Sequence, residues 1–284
     1  MKFLGSIIKG HGWIGKLYKL DKKKFDLLSL QSIDLNKYPY LLESSSRGNK
    51  RNRYSFLFFK PRVLLQKTKE DKNIFLEEFD KIWKKEIIVQ NDFYYNNKKI
   101  PFCGGWFIYL GYELVEEIEP RLSIPKSPFK LPTAFASRVN TAIIFDHVDN
   151  EVLITSDDKD SFYDDIEDIE KDFSRILDDS KKLSGSIKIL TKGSKHEHQN
   201  QVRRCIDYIF EGEIFQANLS RLWKFQIDQK INEIEIYREL RNKNPSPFAG
   251  LINYKQSNII CSSPERLVSV NDDFLETRPI AGTR

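Results

Sequence analysis

Between residues 54 and 156 short apolar runs alternate with turn residues: "YSFLFF" (54 to 59), "GGWFIYLGYEL" (104 to 114), "TAIIFDH" (141 to 147) and "EVLITS" (151 to 156). Runs of this length, rich in β-branched and aromatic residues, predict strands. The last two are separated only by Val148, Asp149 and Asn150, which predicts a β-hairpin and hence an antiparallel sheet. From Phe162 the period changes. Phe162, Ile166, Ile169, Phe173, Ile176 and Leu177 recur at helical spacing, so an amphipathic helix with a solvated aspartate face is expected. Gly185, Gly193 and "KGSKHEHQN" mark a boundary zone that separates an N-terminal region, 1–180, from a second region, 181–284. A further helix then carries Val202, Cys205, Ile206, Ile209 and Phe210 on one face and stops at Gly212.

The next stretch, "GEIFQANLSRLWKF", reads at period two: Phe215, Ala217 and Leu219 point one way, Gln216, Asn218 and Ser220 the other. Such a strand over 214–222 either faces water with its polar side or lines a pocket with three uncharged hydrogen-bonding groups. After a helix near 231–242, "NPSPF" (244 to 248) requires a loop, because Pro245 and Pro247 lack amide donors. "AGLINY", "NIICSS", "ERLVSV" and "FLETRP" follow closely and predict up-and-down strands of one antiparallel sheet, with Pro264 interrupting a ladder it cannot join. Helices segregate from strands, so the fold class is α+β.

Composition narrows the function. A chain of 284 residues with 40% hydrophobic and 13% aromatic residues is globular in composition, and its net charge of +5 comes from 46 basic and 41 acidic residues spread evenly. Without a basic stripe interleaved with aromatics, nucleic-acid binding is not expected, while a mild positive field favours a small anionic substrate. Cys103, Cys205 and Cys261 are far apart and form no metal-type pair. His196 and His198 flank Glu197 at the start of a helix, where they do not share a face. No apolar run is long enough to span a bilayer, which predicts a cytoplasmic protein without membrane contact.

Two places carry candidate chemistry. Glu265, between Pro264 and the apolar pair Leu267 and Val268, is either a partly desolvated general acid or an edge glutamate paired with Arg266 or Arg278. "LLESSS" (41 to 46) either ends a strand or offers Glu43 and Ser44 as acceptors to a ligand.

"LLESSS", "GGWFIYLGYEL", "GEIFQANLS", "NPSPF", "SSPERL" and "TRPIAGTR", in this order, resemble the chorismate-utilising enzymes, in particular component I of aminodeoxychorismate synthase or anthranilate synthase. The resemblance covers nearly the whole chain. It implies two antiparallel sheets in a sandwich-like core with helices outside, and amination of chorismate with Mg²⁺ holding a substrate carboxylate. It also implies ammonia delivered by a glutamine amidotransferase subunit. Carried over by motif, Glu265 is the acid for the departing C4 hydroxyl, and Gly282 and Thr283 contact substrate. Gln216 stands where water-adding relatives have a lysine, so a neutral amide there favours ammonia chemistry. Glu43, Ser44, Pro247 and Phe248 would line a tryptophan-type effector pocket.

"FQANLSR" and "SSPERL" lean towards the aminodeoxychorismate synthases. Ala281, where many of those have a lysine nucleophile, leans towards anthranilate synthase. Family members continue past Gly-Thr-Arg into a part holding magnesium-binding glutamates and a histidine. The chain is therefore expected to be truncated, inactive alone and without metal ligands of its own, or else to be a fragment that keeps only effector or partner binding.

Overall fold

The computed structural model describes residues 5–20, 25–45, 53–86, 93–176, 185–271 and 274–278. The chain divides into two units, one of residues 1–180 with 237–284 and one of residues 181–236.

The first unit is built on an eight-stranded sheet. Its order is Gly5–Gly10, Trp13–Lys19, Glu151–Ser156, Thr141–Asp146, Tyr54–Phe59, Tyr40–Glu43, Phe248–Tyr254 and Ser257–Ser263, every neighbour antiparallel. The register places Ala142, Phe58, Tyr40 and Ile252 opposite one another across four strands. Against this row packs a three-stranded sheet of Arg62–Lys67, Ala134–Val139 and Gly105–Leu110. Tyr40 stacks on Phe107 at 4.1 Å between ring centroids, and Phe135 on Tyr254 at 4.2 Å. Each buried ring contributes about 2–3 kcal/mol by area alone. The Tyr40 hydroxyl finds the Ser137 hydroxyl at 3.0 Å, so neither buried polar group is stranded. These facing antiparallel sheets give the expected α+β class with a sandwich-like core.

Period two sends alternate residues to the other face, which helices cover. The helix Leu27–Gln31 buries Leu27, Leu28 and Leu30, and the helix Phe162–Phe173 buries Phe162, Ile166, Ile169 and Phe173. Glu170 fixes the latter by accepting from Lys16 Nζ at 2.6 Å and Tyr18 Oη at 2.8 Å. This helix is shorter than its apolar pattern predicts. Ile176 lies outside it, and Leu177 is outside the described residues.

The unit of residues 181–236 contains a strand pair, Ile187–Thr191 with Lys224–Ile227, and the helix Lys195–Phe210, capped where Ser194 Oγ accepts from the Glu197 amide at 3.1 Å. His196 and His198 lie in the first turn, as read from the sequence.

Two expectations are corrected. Residues 214–222 form no strand: the segment is irregular and mostly exposed up to Lys224. Its alternation has no neighbouring strand to pair with among the described residues, and a lone strand cannot satisfy its backbone. Nor do the last runs form one sheet. Phe248–Tyr254 and Ser257–Ser263 join the large sheet, whereas Ser269–Asn271 and Phe274–Glu276 make a separate hairpin. Pro264 ends the first ladder, and Leu267 and Phe274 are left 86% and 80% exposed.

Candidate functional site

The register brings the "LLES" and "NPSPF" segments together. Tyr40–Glu43 pairs with Phe248–Tyr254, placing Glu43 opposite Ala249. Ser44 Oγ donates to the Pro247 carbonyl at 3.3 Å, and the Ser44 amide donates to Ser55 Oγ at 3.1 Å. Ser45 and Ser246 lock the crossing: the Ser45 amide donates to the Ser246 carbonyl at 2.9 Å, and the Ser246 amide to Ser45 Oγ at 2.8 Å. Glu43, Ser44, Pro247 and Phe248 are therefore neighbours. Pro245 and Pro247 turn the chain here because neither can donate to a ladder.

The carboxylate of Glu43 is occupied from within. Tyr237 Oη donates to its Oε2 at 2.7 Å and Arg241 Nη1 to its Oε1 at 2.8 Å. Both donors stand on the helix Glu233–Lys243, four residues apart and so on one face. Arg241 also makes a two-nitrogen contact with Asp26, at 2.9 Å and 2.7 Å. Asp26 in turn caps Leu27–Gln31 by accepting from the Leu28 amide at 3.1 Å. Burial pushes the Asp26 carboxyl up, but the Arg241 contacts outweigh it and hold the group below its usual range. Burial, then the charge and hydrogen bond of Glu43, push the Tyr237 hydroxyl above its usual range. Sequence reasoning missed Asp26, Tyr237 and Arg241. The only signal was the i, i+4 pair on the helix, and its partners lie some two hundred residues upstream.

The other expected site residues are more open. Glu265 is exposed in an irregular turn after Ser257–Ser263, not desolvated in a strand. Its backbone amide donates to Ser263 Oγ at 3.4 Å, and its carbonyl accepts from the same hydroxyl at 3.2 Å. The chain leaves the large sheet after Ser263, and Pro264 and Glu265 are both exposed. Arg266 and Arg278 both engage Glu276. Gln216 is exposed in the unit of residues 181–236. Ala281, Gly282 and Thr283 lie outside the described residues. Among the described residues no three His, Cys, Asp or Glu side chains come together as a metal would need, and no helix is long and apolar enough to cross a membrane.

Comparison with known proteins places this arrangement. A family profile described as chorismate binding enzyme matches residues 38–284. An anthranilate synthase component 1 of Aquifex aeolicus is 27% identical over 276 residues, covering 90% of this chain and 56% of the relative. An anthranilate synthase component I-like protein of Synechocystis is 30% identical over 190 residues, covering 65% of this chain and 38% of the relative. The crystal structure of anthranilate synthase component I from Streptococcus pneumoniae superposes with a TM-score of 0.62 at 22% identity, covering 78% of this chain and 53% of that one, and so shares the fold. The chain spans about half the length of the curated relatives it matches over most of its own length. With a profile match running from Tyr38 through both strands that carry the "LLES" and "NPSPF" segments, the chain belongs to the chorismate-binding enzyme family.

Proposed function

We propose that this chain carries part of component I of an aminodeoxychorismate synthase, which converts chorismate and ammonia to 4-amino-4-deoxychorismate and water. The observation that carries the reading is the family match over residues 38–284 together with the motif wording of "FQANLSR" and "SSPERL". A new C–N bond forms and the C4 hydroxyl departs as water. Glu265 supplies the proton that makes the hydroxyl a leaving group. Its place in an exposed turn at a strand end is compatible with meeting a solute. Gly282 and Thr283 contact the substrate, and Gln216 stands where its neutral amide cannot act as a base toward water. Ammonia comes from a glutamine amidotransferase subunit.

The described residues do not fit a magnesium site, because no cluster of three ligating side chains exists among them. The second reading, anthranilate synthesis, is favoured by the names of the relatives matched over 90% and 86% of the chain and by Ala281 in place of a lysine nucleophile.

The test is a chimera in which residues 38–284 replace the matched region of the Aquifex aeolicus relative, supplied with chorismate, ammonium and Mg²⁺. Formation of 4-amino-4-deoxychorismate supports the proposal. Anthranilate with pyruvate supports the second reading, and a folded chimera that binds chorismate without aminating it sinks both.

A further inference from the structure

A cavity of about 280 Å³ lies on the opposite half of the large sheet from Tyr40 and Ile252, under the short hairpin of Tyr94–Tyr95 and Lys98–Lys99. Its floor is set by strand register. Leu17, Leu153 and Ile144 stand directly opposite one another across three strands, and Ile8 and Ile100 close the apolar end. Two residues along the same strands, and so on the same face, come Lys19, Glu151 and Asp146, again in register. The floor changes from apolar to charged in one step.

The charges are unequally matched. Asp146 is 4% exposed and accepts from Arg53 at 3.0 Å and 2.9 Å, with Lys98 Nζ at 2.5 Å. Asp149 is held by Arg53 at 2.6 Å and Lys98 at 2.5 Å. Glu151 differs: its nearest cation, Lys98, is 3.7 Å away, beyond hydrogen-bond length, and no hydrogen bond reaches its carboxylate among the described residues. Lys19 is its direct cross-strand partner, yet the two make no ion pair among the described residues. With Asp146 and Asp149 neutralised, the cavity presents one anion and one cation side by side, next to an apolar floor.

We propose that this cavity binds a free α-amino acid with an apolar side chain. The side chain lies on Leu17, Leu153 and Ile144, the ammonium meets Glu151, and the carboxylate meets Lys19. A simple amine would leave Lys19 without a counter-charge, and a simple carboxylate would face Glu151. The volume is at the small end of ligand pockets, roughly 300–1,000 Å³, which suits a ligand of about a dozen heavy atoms. This site is separate from the Glu43 cluster and does not depend on the reaction proposed above.

Isothermal titration of the whole chain with L-phenylalanine, 2-phenylethylamine and 3-phenylpropionate tests it. Phenylalanine is expected to bind, with both analogues weaker by about tenfold or more, the scale of one lost charge-assisted hydrogen bond. Glu151→Gln and the surface variant Lys19→Gln should each weaken phenylalanine by a similar factor, while Ser44→Ala leaves it unchanged. The proposal fails if folded protein gives no heat with millimolar phenylalanine, if folded Lys19→Gln binds as the parent does, or if Ser44→Ala abolishes binding and so moves it to the Glu43 cluster.

Discussion

Arg241 Nη1 lies 2.8 Å from Glu43 Oε1, joining a helix late in the chain to the strand that first enters the middle of the sheet. The Arg241 side chain is only 14% exposed. Removing one partner of such a pair leaves the other charge without compensation. Arg241→Ala should therefore cost about 3–5 kcal/mol in urea unfolding. Tyr237→Phe, which deletes one hydrogen bond to the same carboxylate, should cost about 1.5–3 kcal/mol. A loss below about 0.5 kcal/mol for Arg241→Ala would mean the contact behaves as a surface pair.

The stacked rings between the sheets predict a second, independent loss. Phe135 is fully buried and packs on Tyr254, Tyr109, Phe107 and Tyr40. Phe135→Ala should destabilise by about 3–5 kcal/mol, and Phe135→Leu by clearly less, in the same unfolding experiment.

Acid should weaken the fold through Asp146. Burial alone would raise its carboxyl, but Arg53, Lys98 and the Asp149 and Val148 amides hold it below the usual range. A depressed folded value contributes stability that is complete above the unfolded value and lost as pH falls through the folded one. Unfolding free energy should thus decline from about pH 5 downward, and Asp146→Asn should flatten that limb while costing about 1.5–3 kcal/mol at neutral pH. Asp165 carries the opposite sign. Burial first, then nearby carboxylates, raise it despite the Thr141 hydroxyl, so its stabilising share is lost as pH rises. Asp165→Asn should leave neutral-pH stability equal or higher. Steeper acid sensitivity in Asp146→Asn than in the parent would refute this assignment.

For the proposed chemistry, Glu265→Gln in the chimera should lower the rate of amination about 10²–10⁴-fold, the range for a lost general acid, with chorismate affinity unchanged. Steady-state kinetics beside a direct binding measurement separates the two. An unchanged rate would remove Glu265 from the reaction.

The strands Tyr54–Phe59, Thr141–Asp146 and Glu151–Ser156 were legible because their apolar residues are large and bounded by turn residues. Ala134–Val139 was not, although it is the central strand of the smaller sheet. Its "AFASRV" mixes small, aromatic and charged residues without a clear alternation, and what seats it is Phe135 between rings and Ser137 on the Tyr40 hydroxyl, contacts made by distant parts of the chain. At 214–222 the error ran the other way: perfect alternation without a neighbour gives no strand. Among site residues, the neighbourhood of Glu43, Ser44, Pro247 and Phe248 was readable from motifs, whereas the Asp26–Arg241–Glu43 triad was not. Ion pairs across two hundred residues leave no local period. Of the two settings open for Glu265, the desolvated one is not realised, because sequence shows the apolar neighbours Leu267 and Val268 but not that the chain leaves the large sheet at Pro264 and exposes this turn.

The order of strands has a consequence for synthesis. Tyr40–Glu43 emerges early, yet its neighbour Phe248–Tyr254 follows some two hundred residues later. At typical elongation speeds of about 5–20 residues per second, the sheet keeps an open side on the ribosome for roughly ten to forty seconds. During that interval the side of the strand turned away from Tyr54–Phe59, including the Leu41 amide, stays unpaired, the setting in which a strand recruits a wrong neighbour. A slow codon run or a stalled ribosome between residues 60 and 247 would lengthen this exposure. Yield of soluble protein should therefore depend on translation tempo and on chaperones that shield nascent strands.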